Sequence, residues 1–345
     1  MGAIEGIAVG PVSEWLDANV VGFHQPYRFD LVPGGRSNLT FIVTDAAGHR
    51  CVLRRPPTSH VLPTAHDMAR EYRIVRALGP TAVPVPAALG LCTDVAVNGQ
   101  PFYVMGFVDG LVLRDVTNAL TGLTPEQRRV AGEDVIDVLA DLHAVDVDAV
   151  GLGDLGRKEA YIERQLKRWY GQFQQSAALQ GRSVPAVDAV HDALARRIPA
   201  QVGASIVHGD YRLDNAVVGP DARIAAVLDW EICTLGDPLA DVGQLMVNWV
   251  EPGDAFVPLG HAPTLAPGFP TRAEARARYA TRSGRDLSQL DFYVAFGYWK
   301  LACILEGVFS RYAAGAGGGD RSGVDAFAGQ IDALALAAEE TASRL

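Results

Sequence analysis

Lysine is almost missing from this chain of 345 residues: Lys158, Lys167 and Lys300 are the only three, and the first 150 residues hold none. Positive charge of any kind is in the minority, with 30 Lys and Arg against 40 Asp and Glu and a net charge of −10. That balance argues against a nucleic-acid partner, whose affinity rests on basic contacts to phosphate. Cysteine is scarce. Cys51, Cys92, Cys233 and Cys303 stand far apart with no CxxC pair, so neither a zinc knuckle nor a disulfide framework is indicated. No uninterrupted apolar run approaches the ~18 residues of a spanning helix, and no membrane partner is expected. The opening Met1-Gly2-Ala3-Ile4-Glu5-Gly6 lacks the basic and apolar regions of a signal peptide. It also lacks the Ser or Thr at position 6 that myristoylation requires. A cytoplasmic protein is the expectation. What is present is ordinary globular composition, half apolar and a fifth charged. That excludes a disordered or fibrous chain and leaves length for two packed units with real cores.

Residues 28–108 read as a five-stranded antiparallel sheet with one inserted helix. Phe29–Val32, Leu39–Val43 and Cys51–Arg54 form a meander, with turns at Pro33–Asn38 and Asp45–Gly48 and a stop at Pro56-Pro57. Thr64 followed by Asp67 reads as the start of a helix running to Leu78, with Met68, Tyr72 and Val75 at helical spacing. Leu89–Cys92 and Pro101–Val108 read as two more strands, joined by a turn at Asn98-Gly99. Beyond Asp109-Gly110 the pattern is helical. Thr124-Pro125 starts a long helix, and 157–180, 184–200, 286–312 and 322–343 read as others. A short β segment lies at Ser205–Trp230, and Gly315–Gly319 reads as a mobile loop. No internal repeat is visible.

The most specific pattern is His208-Gly209-Asp210-Tyr211-Arg212-Leu213-Asp214-Asn215, followed by Asp229-Trp230-Glu231. Ala204–Val207 is a short apolar strand. Asn215–Val218, the turn Gly219–Ala222 and Arg223–Leu228 read as a hairpin, with Asn215 and Asp229 at its open end and Asp210 on the loop entering it. Two hard oxygen ligands and a third carboxylate at one mouth suit a nucleotide-bound Mg²⁺ and a hydroxyl-activating base. The Asp-x4-Asn spacing matches a phosphotransferase catalytic loop, with Gly in place of Arg after His.

On these residues the chain resembles the aminoglycoside phosphotransferase and choline kinase superfamily, small-molecule relatives of the protein kinases. Gly34–Phe41, Val52–Pro57, Phe102–Met105 and Leu235–Asp241 fall in the order of that superfamily. The subgroup most resembled is the kinase-like domain fused to, or encoded beside, acyl-CoA dehydrogenases. The resemblance implies an α+β, two-lobed protein-kinase-like fold: a nucleotide-binding lobe at 1–105, a hinge at 106–110 and a catalytic helical lobe at 111–345. It makes Asp210 the general base and Asn215 and Asp229 the Mg²⁺ ligands. Ser37 and Asn38 would present backbone donors to the phosphates of ATP, with GTP left open. The Gly106 carbonyl and Val108 amide would hold adenine. Where the superfamily carries a lysine on the third strand, this chain has Arg54, with Glu71 as its partner and Arg55 turned to the opposite face. The implied acceptor is a small-molecule hydroxyl, with a hydroxyacyl-CoA or hydroxy acid ahead of an aminoglycoside or choline, and with a functional link to an acyl-CoA dehydrogenase. A non-catalytic nucleotide-binding pseudokinase is the rival that the missing lysine supports.

Other features have plainer readings. His208 is read as hydrogen-bonding the loop, and Asp237 and Asp241 as bracing it. Gly151–Gly156 spells GxGxxG but follows a long helix, not a strand, so it reads as a loop. The cations from Arg157 to Arg168 form either a solvated face or an anion site. Glu306 and Arg311, near Tyr298 and Trp299, either line an acceptor pocket or serve the core.

Overall fold

The computed structural model describes residues 4–33, 38–58, 67–313 and 324–345. The turn at Gly34–Ser37, the helix start at Thr64 and the loop at Gly315–Gly319 lie outside the described residues. The chain divides into two compact units, Met1–Gly110 with Ala225–Glu231, and Leu111–Ile224 with Ile232–Leu345. Residues 225–231, which the expected boundaries place in the helical lobe, are thus counted with the first unit.

The first unit begins with α1 (Val9–Asn19), which the sequence pattern had not indicated. Strands β1 (Arg28–Leu31), β2 (Leu39–Thr44) and β3 (Arg50–Arg55) follow, then α2 (Met68–Leu78), β4 (Ala88–Cys92), α3 (Val95–Asn98) and β5 (Phe102–Gly106). The antiparallel sheet has the order β1-β2-β3-β5-β4. Alternation along each strand sends successive side chains to opposite faces. Cys51 and Leu53 of β3 and Phe102 and Val104 of β5 therefore pack with Val12 and Leu16 of α1. Tyr103 and Met105 join Met68 of α2 on the other face, with Val52 and Tyr72 against them. Covering both faces explains why β5 is buried from Phe102 to Met105. The Asp67 carboxylate caps α2 by accepting from Arg70 N at 3.0 Å. One detail differs from expectation. Asn98-Gly99 ends α3, with Gly99 at φ 72°, and is not a two-residue hairpin turn.

The second unit is mostly helical: α4 (Val116–Gly122), α5 (Pro125–Ala144), α6 (Tyr161–Gln180) and α7 (Pro185–Ala195) precede β6 (Ser205–Val207), β7 (Ala216–Val218), β8 (Ile224–Val227) and β9 (Thr234–Gly236). Strand β8 leaves this unit after its first residue. Helices α8 (Leu239–Asn248), α9 (Arg272–Ser283), α10 (Leu290–Ala313) and α11 (Val324–Ala342) complete the chain. A reciprocal capping box starts α5: Thr124 N donates to Gln127 Oε1 at 2.9 Å, and Gln127 N to Thr124 Oγ1 at 3.3 Å. Helix α6 begins at Tyr161, so Arg157 and Lys158 precede it. Helix α10 is long and apolar enough by composition to cross a membrane, with a mean hydropathy of 1.3 over its most apolar stretch. It is nevertheless the packing centre of the unit, with α6, α7, α8 and α11 against it. At Gly243 a Cβ would lie 2.4 Å from Tyr293 O, so glycine is what lets α8 approach α10 so closely. The GxGxxG segment lies in the turns between α5 and α6.

Candidate active site

In the first unit the site is a charge cluster around Arg54. Strand alternation turns Arg54 of β3 toward α2, where Glu71 occupies the first turn beside Met68. Arg54 Nε lies 3.1 Å from Glu71 Oε2, and Nη2 lies 2.6 Å from Asp229 Oδ1 and 3.5 Å from Glu231 Oε2. The Asn38 amide donates to Glu71 Oε1 at 3.1 Å and to Glu231 Oε2 at 3.2 Å. Tyr103 Oη donates to Glu71 Oε2 at 3.1 Å. One guanidinium, with only 11% of its side chain exposed, thus serves three carboxylates. Burial pushes the Glu71 carboxyl up to about 7 against the opposing pull of Arg54. Burial works against the Arg54 charge, but Asp229 and Glu71 more than offset it and hold the guanidinium charged. Asp229 sits at φ 64°, a left-handed conformation that Asp tolerates better than most residues.

Arg55 points the other way, to the α1 side. It is 5% exposed, and its guanidinium donates to the carbonyls of Gly6, Pro56 and Asn98. Gly106 ends β5 opposite Cys51 and donates its N–H to Ala87 O at 2.8 Å. Val108 follows, half-buried, beside Phe107, whose ring carries the Arg50 guanidinium 3.9 Å from its centroid. Ser37 lies outside the described residues.

In the second unit the site is a loop whose backbone is held by side chains from His208 to Asp210. Asp241, fully buried on α8, accepts from His208 N at 2.6 Å and Gly209 N at 2.8 Å. Asp210 N donates to His208 Nδ1 at 3.2 Å. The Asn215 amide donates to both Asp210 O and Asp210 Oδ2 at 2.9 Å. Arg212 Nε lies 3.4 Å from Asp210 Oδ2 and 3.0 Å from Asp214 Oδ1. Burial raises the Asp210 carboxyl, but Arg212, His208 and Lys300 outweigh it and hold it below the usual range. An ionised carboxylate of this kind can accept a proton from a hydroxyl. Asp237 caps α8 through Leu239 N at 3.1 Å and takes the Tyr293 hydroxyl at 2.7 Å.

Asn215 commits its amide N–H groups to Asp210, which leaves its Oδ1 as a hard oxygen donor of the kind Mg²⁺ accepts; Asp229 offers the same chemistry. The two belong to different units. Among the described residues no three His, Cys, Asp or Glu side chains gather into a protein-only metal cage. Three residues of weight had no assigned role in the sequence pattern. Glu231 stood in the Asp229-Trp-Glu run, and the signal was its two-residue offset from Asp229. Tyr103 read only as strand. Lys300 was visible only as one of three lysines. Glu306 is fully buried and pairs with Arg182 Nε at 3.1 Å, whereas Arg311 is exposed.

The phosphotransferase enzyme family matches residues 29–293 of the chain. The chain belongs to this family. The expected resemblance to proteins linked with acyl-CoA dehydrogenases is borne out by a relative that carries that name. Acyl-CoA dehydrogenase family member 10 of Mus musculus is 36% identical over 281 residues, covering 80% of this chain and 26% of that protein. The chain therefore spans about a quarter of the length of that relative. A solved Ralstonia eutropha structure, provisionally assigned as an aminoglycoside phosphotransferase, is 35% identical, with a TM-score of 0.81 over 97% of this chain and 98% of its own. The aminoglycoside phosphotransferase APH(4)-Ia, solved with AMP-PNP and hygromycin B, shares the fold at 16% identity, with a TM-score of 0.62 over 96% and 98% of the two chains. The family member described here thus has the α+β, kinase-like fold of small-molecule phosphotransferases.

Proposed function

We propose that this phosphotransferase moves the γ-phosphoryl group of ATP, as its magnesium complex, to a hydroxyl of a small molecule. The observation that carries the reading is the Asp210 loop, with an ionised carboxylate fixed by Asn215 at 2.9 Å and by a braced backbone. The chemistry asks the protein mainly for alignment and charge stabilisation. Asp210 orients the acceptor hydroxyl and takes its proton late in the step. Arg54, held by Glu71, offers guanidinium donors to phosphate oxygens, the work usually given to a lysine. Asn215 and Asp229 would hold the magnesium, which neutralises phosphate charge when bound. Asn38, with Ser37, would cover the phosphates, and Gly106 and Val108 would receive the base. GTP in place of ATP is an outcome of the same assay.

For the acceptor, the reading is a hydroxyacyl-CoA or its free hydroxy acid. Its support is the acyl-CoA dehydrogenase named in the 36%-identical relative and the cations at Arg157, Lys158, Arg164, Lys167 and Arg168, of which Lys167 and Arg168 are exposed on α6. A CoA thioester is strongly anionic and needs such groups. A functional link to an acyl-CoA dehydrogenase and a cytoplasmic location complete the reading. Four buried free thiols suit a reducing compartment. The test is labelled ATP offered with 3- and 4-hydroxyacyl-CoAs, their free acids, an aminoglycoside and choline. Label on a cationic acceptor alone would overturn the acyl reading and leave the phosphotransferase standing. Nucleotide binding with no transfer to any acceptor, and no hydrolysis, would favour the pseudokinase. The feature favouring that rival is an Arg54 already committed to three carboxylates.

A further inference from the structure

We propose that Lys300 is a positioning residue for phosphoryl transfer, its buried ammonium holding the Gly209 carbonyl and setting a positive charge behind Asp210. The inference rests on the phosphotransferase reading above for its kinetic consequence, and on geometry for the contact itself.

Only three of the 30 basic residues are lysine. Lys158 and Lys167 lie toward the surface, whereas Lys300 on α10 is 5% exposed. Its Nζ donates to Gly209 O at 2.6 Å, while Gly209 N donates to Asp241 Oδ1 at 2.8 Å. Both polar backbone groups of the residue before Asp210 are therefore held by side chains, one from α8 and one from α10. Gly209 must be glycine: φ is 88°, and a Cβ would meet Ile232 Cγ1 and Cδ1 at 3.0 Å. A glycine this free needs fixing from outside, and Lys300 fixes the peptide that carries Asp210.

An ammonium buried this deeply is costly unless compensated. Burial lowers its proton affinity, Asp241 and Asp210 raise it, and Arg168 lowers it again. The Trp169 ring centroid is 5.8 Å from Nζ. Arginine would not substitute. A guanidinium brings five donors in a rigid fork to a place that offers one carbonyl, and unpaired buried donors are destabilising.

Scarcity of lysine supplies the test. With side-chain-labelled lysine the full-length protein gives three NMR signals, and the Lys300 signal is identified by its loss in Lys300→Arg. Asp210→Asn, which keeps Lys300 in place, should shift that signal and leave those of Lys158 and Lys167 unmoved. In a second arm Lys300→Met is assayed for acceptor-free hydrolysis of Mg-ATP. Misplacing a catalytic group by about an ångström costs on the order of 10²-fold, so kcat should fall by about that much while KM for ATP stays put. A Lys300 signal blind to Asp210→Asn, or a Lys300→Met enzyme with full turnover, overturns the proposal. If the wild-type protein neither hydrolyses ATP nor transfers phosphate to any acceptor, the phosphotransferase reading fails instead, and the NMR arm still decides whether Lys300 senses Asp210.

Discussion

Around Arg54 one guanidinium faces the carboxylates of Glu71, Asp229 and Glu231, whereas around Asp210 one carboxylate sits on a backbone held by Asp241, His208, Asn215 and Lys300. The first region gathers side-chain charge and leaves it out of balance, with negative in excess. The second spends its buried charges on backbone N–H and C=O groups, so that one half-buried acid is rigidly placed. A crowded acidic cluster responds to any change in its single cation. A braced loop responds chiefly to loss of the group it presents.

The largest effect should come from the braced loop. Asp210→Asn keeps the side-chain shape and the contact with Asn215 but cannot take a proton. Turnover should fall by ~10²–10⁴-fold with Mg-ATP affinity nearly unchanged, read by phosphoryl transfer and by nucleotide titration. Substantial residual turnover would remove Asp210 from its role.

Arg54→Ala tests the other region. It strips the cation from a nearly buried Glu71, and breaking such a pair costs about 3–5 kcal/mol. Urea unfolding should show that loss together with weak catalysis. Arg54→Lys, which restores a charge without the fork, should recover most of the stability. Equal midpoints for the two variants would mean that the cluster does not depend on its cation.

Arg55→Ala separates register from charge. Arg55 lies one residue along the strand yet binds carbonyls on the α1 side, so turnover at saturating substrate should persist while stability drops by roughly 1–3 kcal/mol for unmet buried carbonyls. Loss of turnover without loss of stability would reverse the strand assignment.

The smallest effect is a slope. The Glu71 carboxyl is raised from its ordinary 4.5 to about 7 by burial, so the folded state binds a proton that the unfolded state has released. Its contribution favours folding below about 4.5 and is lost as pH rises through about 7. Glu71→Gln should flatten the decline of stability across that window; an unaltered slope would place the titration elsewhere.

The five-stranded sheet, the α2 and α5 helices and the Asp210–Asn215 loop were legible because each is written in local pattern: period-two strands, a Thr-Pro start and a fixed Asp-x4-Asn spacing. Strand alternation alone placed Arg54 and Arg55 on opposite faces. Helix α1 was missed because its apolar positions, Val12 and Leu16, are few and acquire meaning only from the sheet face they cover. Glu231 and Lys300 were missed for a similar reason. A lone charged residue reads as surface until the fold shows what surrounds it, and desolvation and pairing are properties of neighbours that arrive from distant parts of the chain. Local sequence determined which elements form and which loop carries the acid. Only tertiary structure decided that a three-carboxylate cluster would close on Arg54, and that a lysine 90 residues beyond Asp210 would end buried against Gly209 O. Side-chain burial and charge compensation depend on packing between elements, which no run of neighbouring residues encodes.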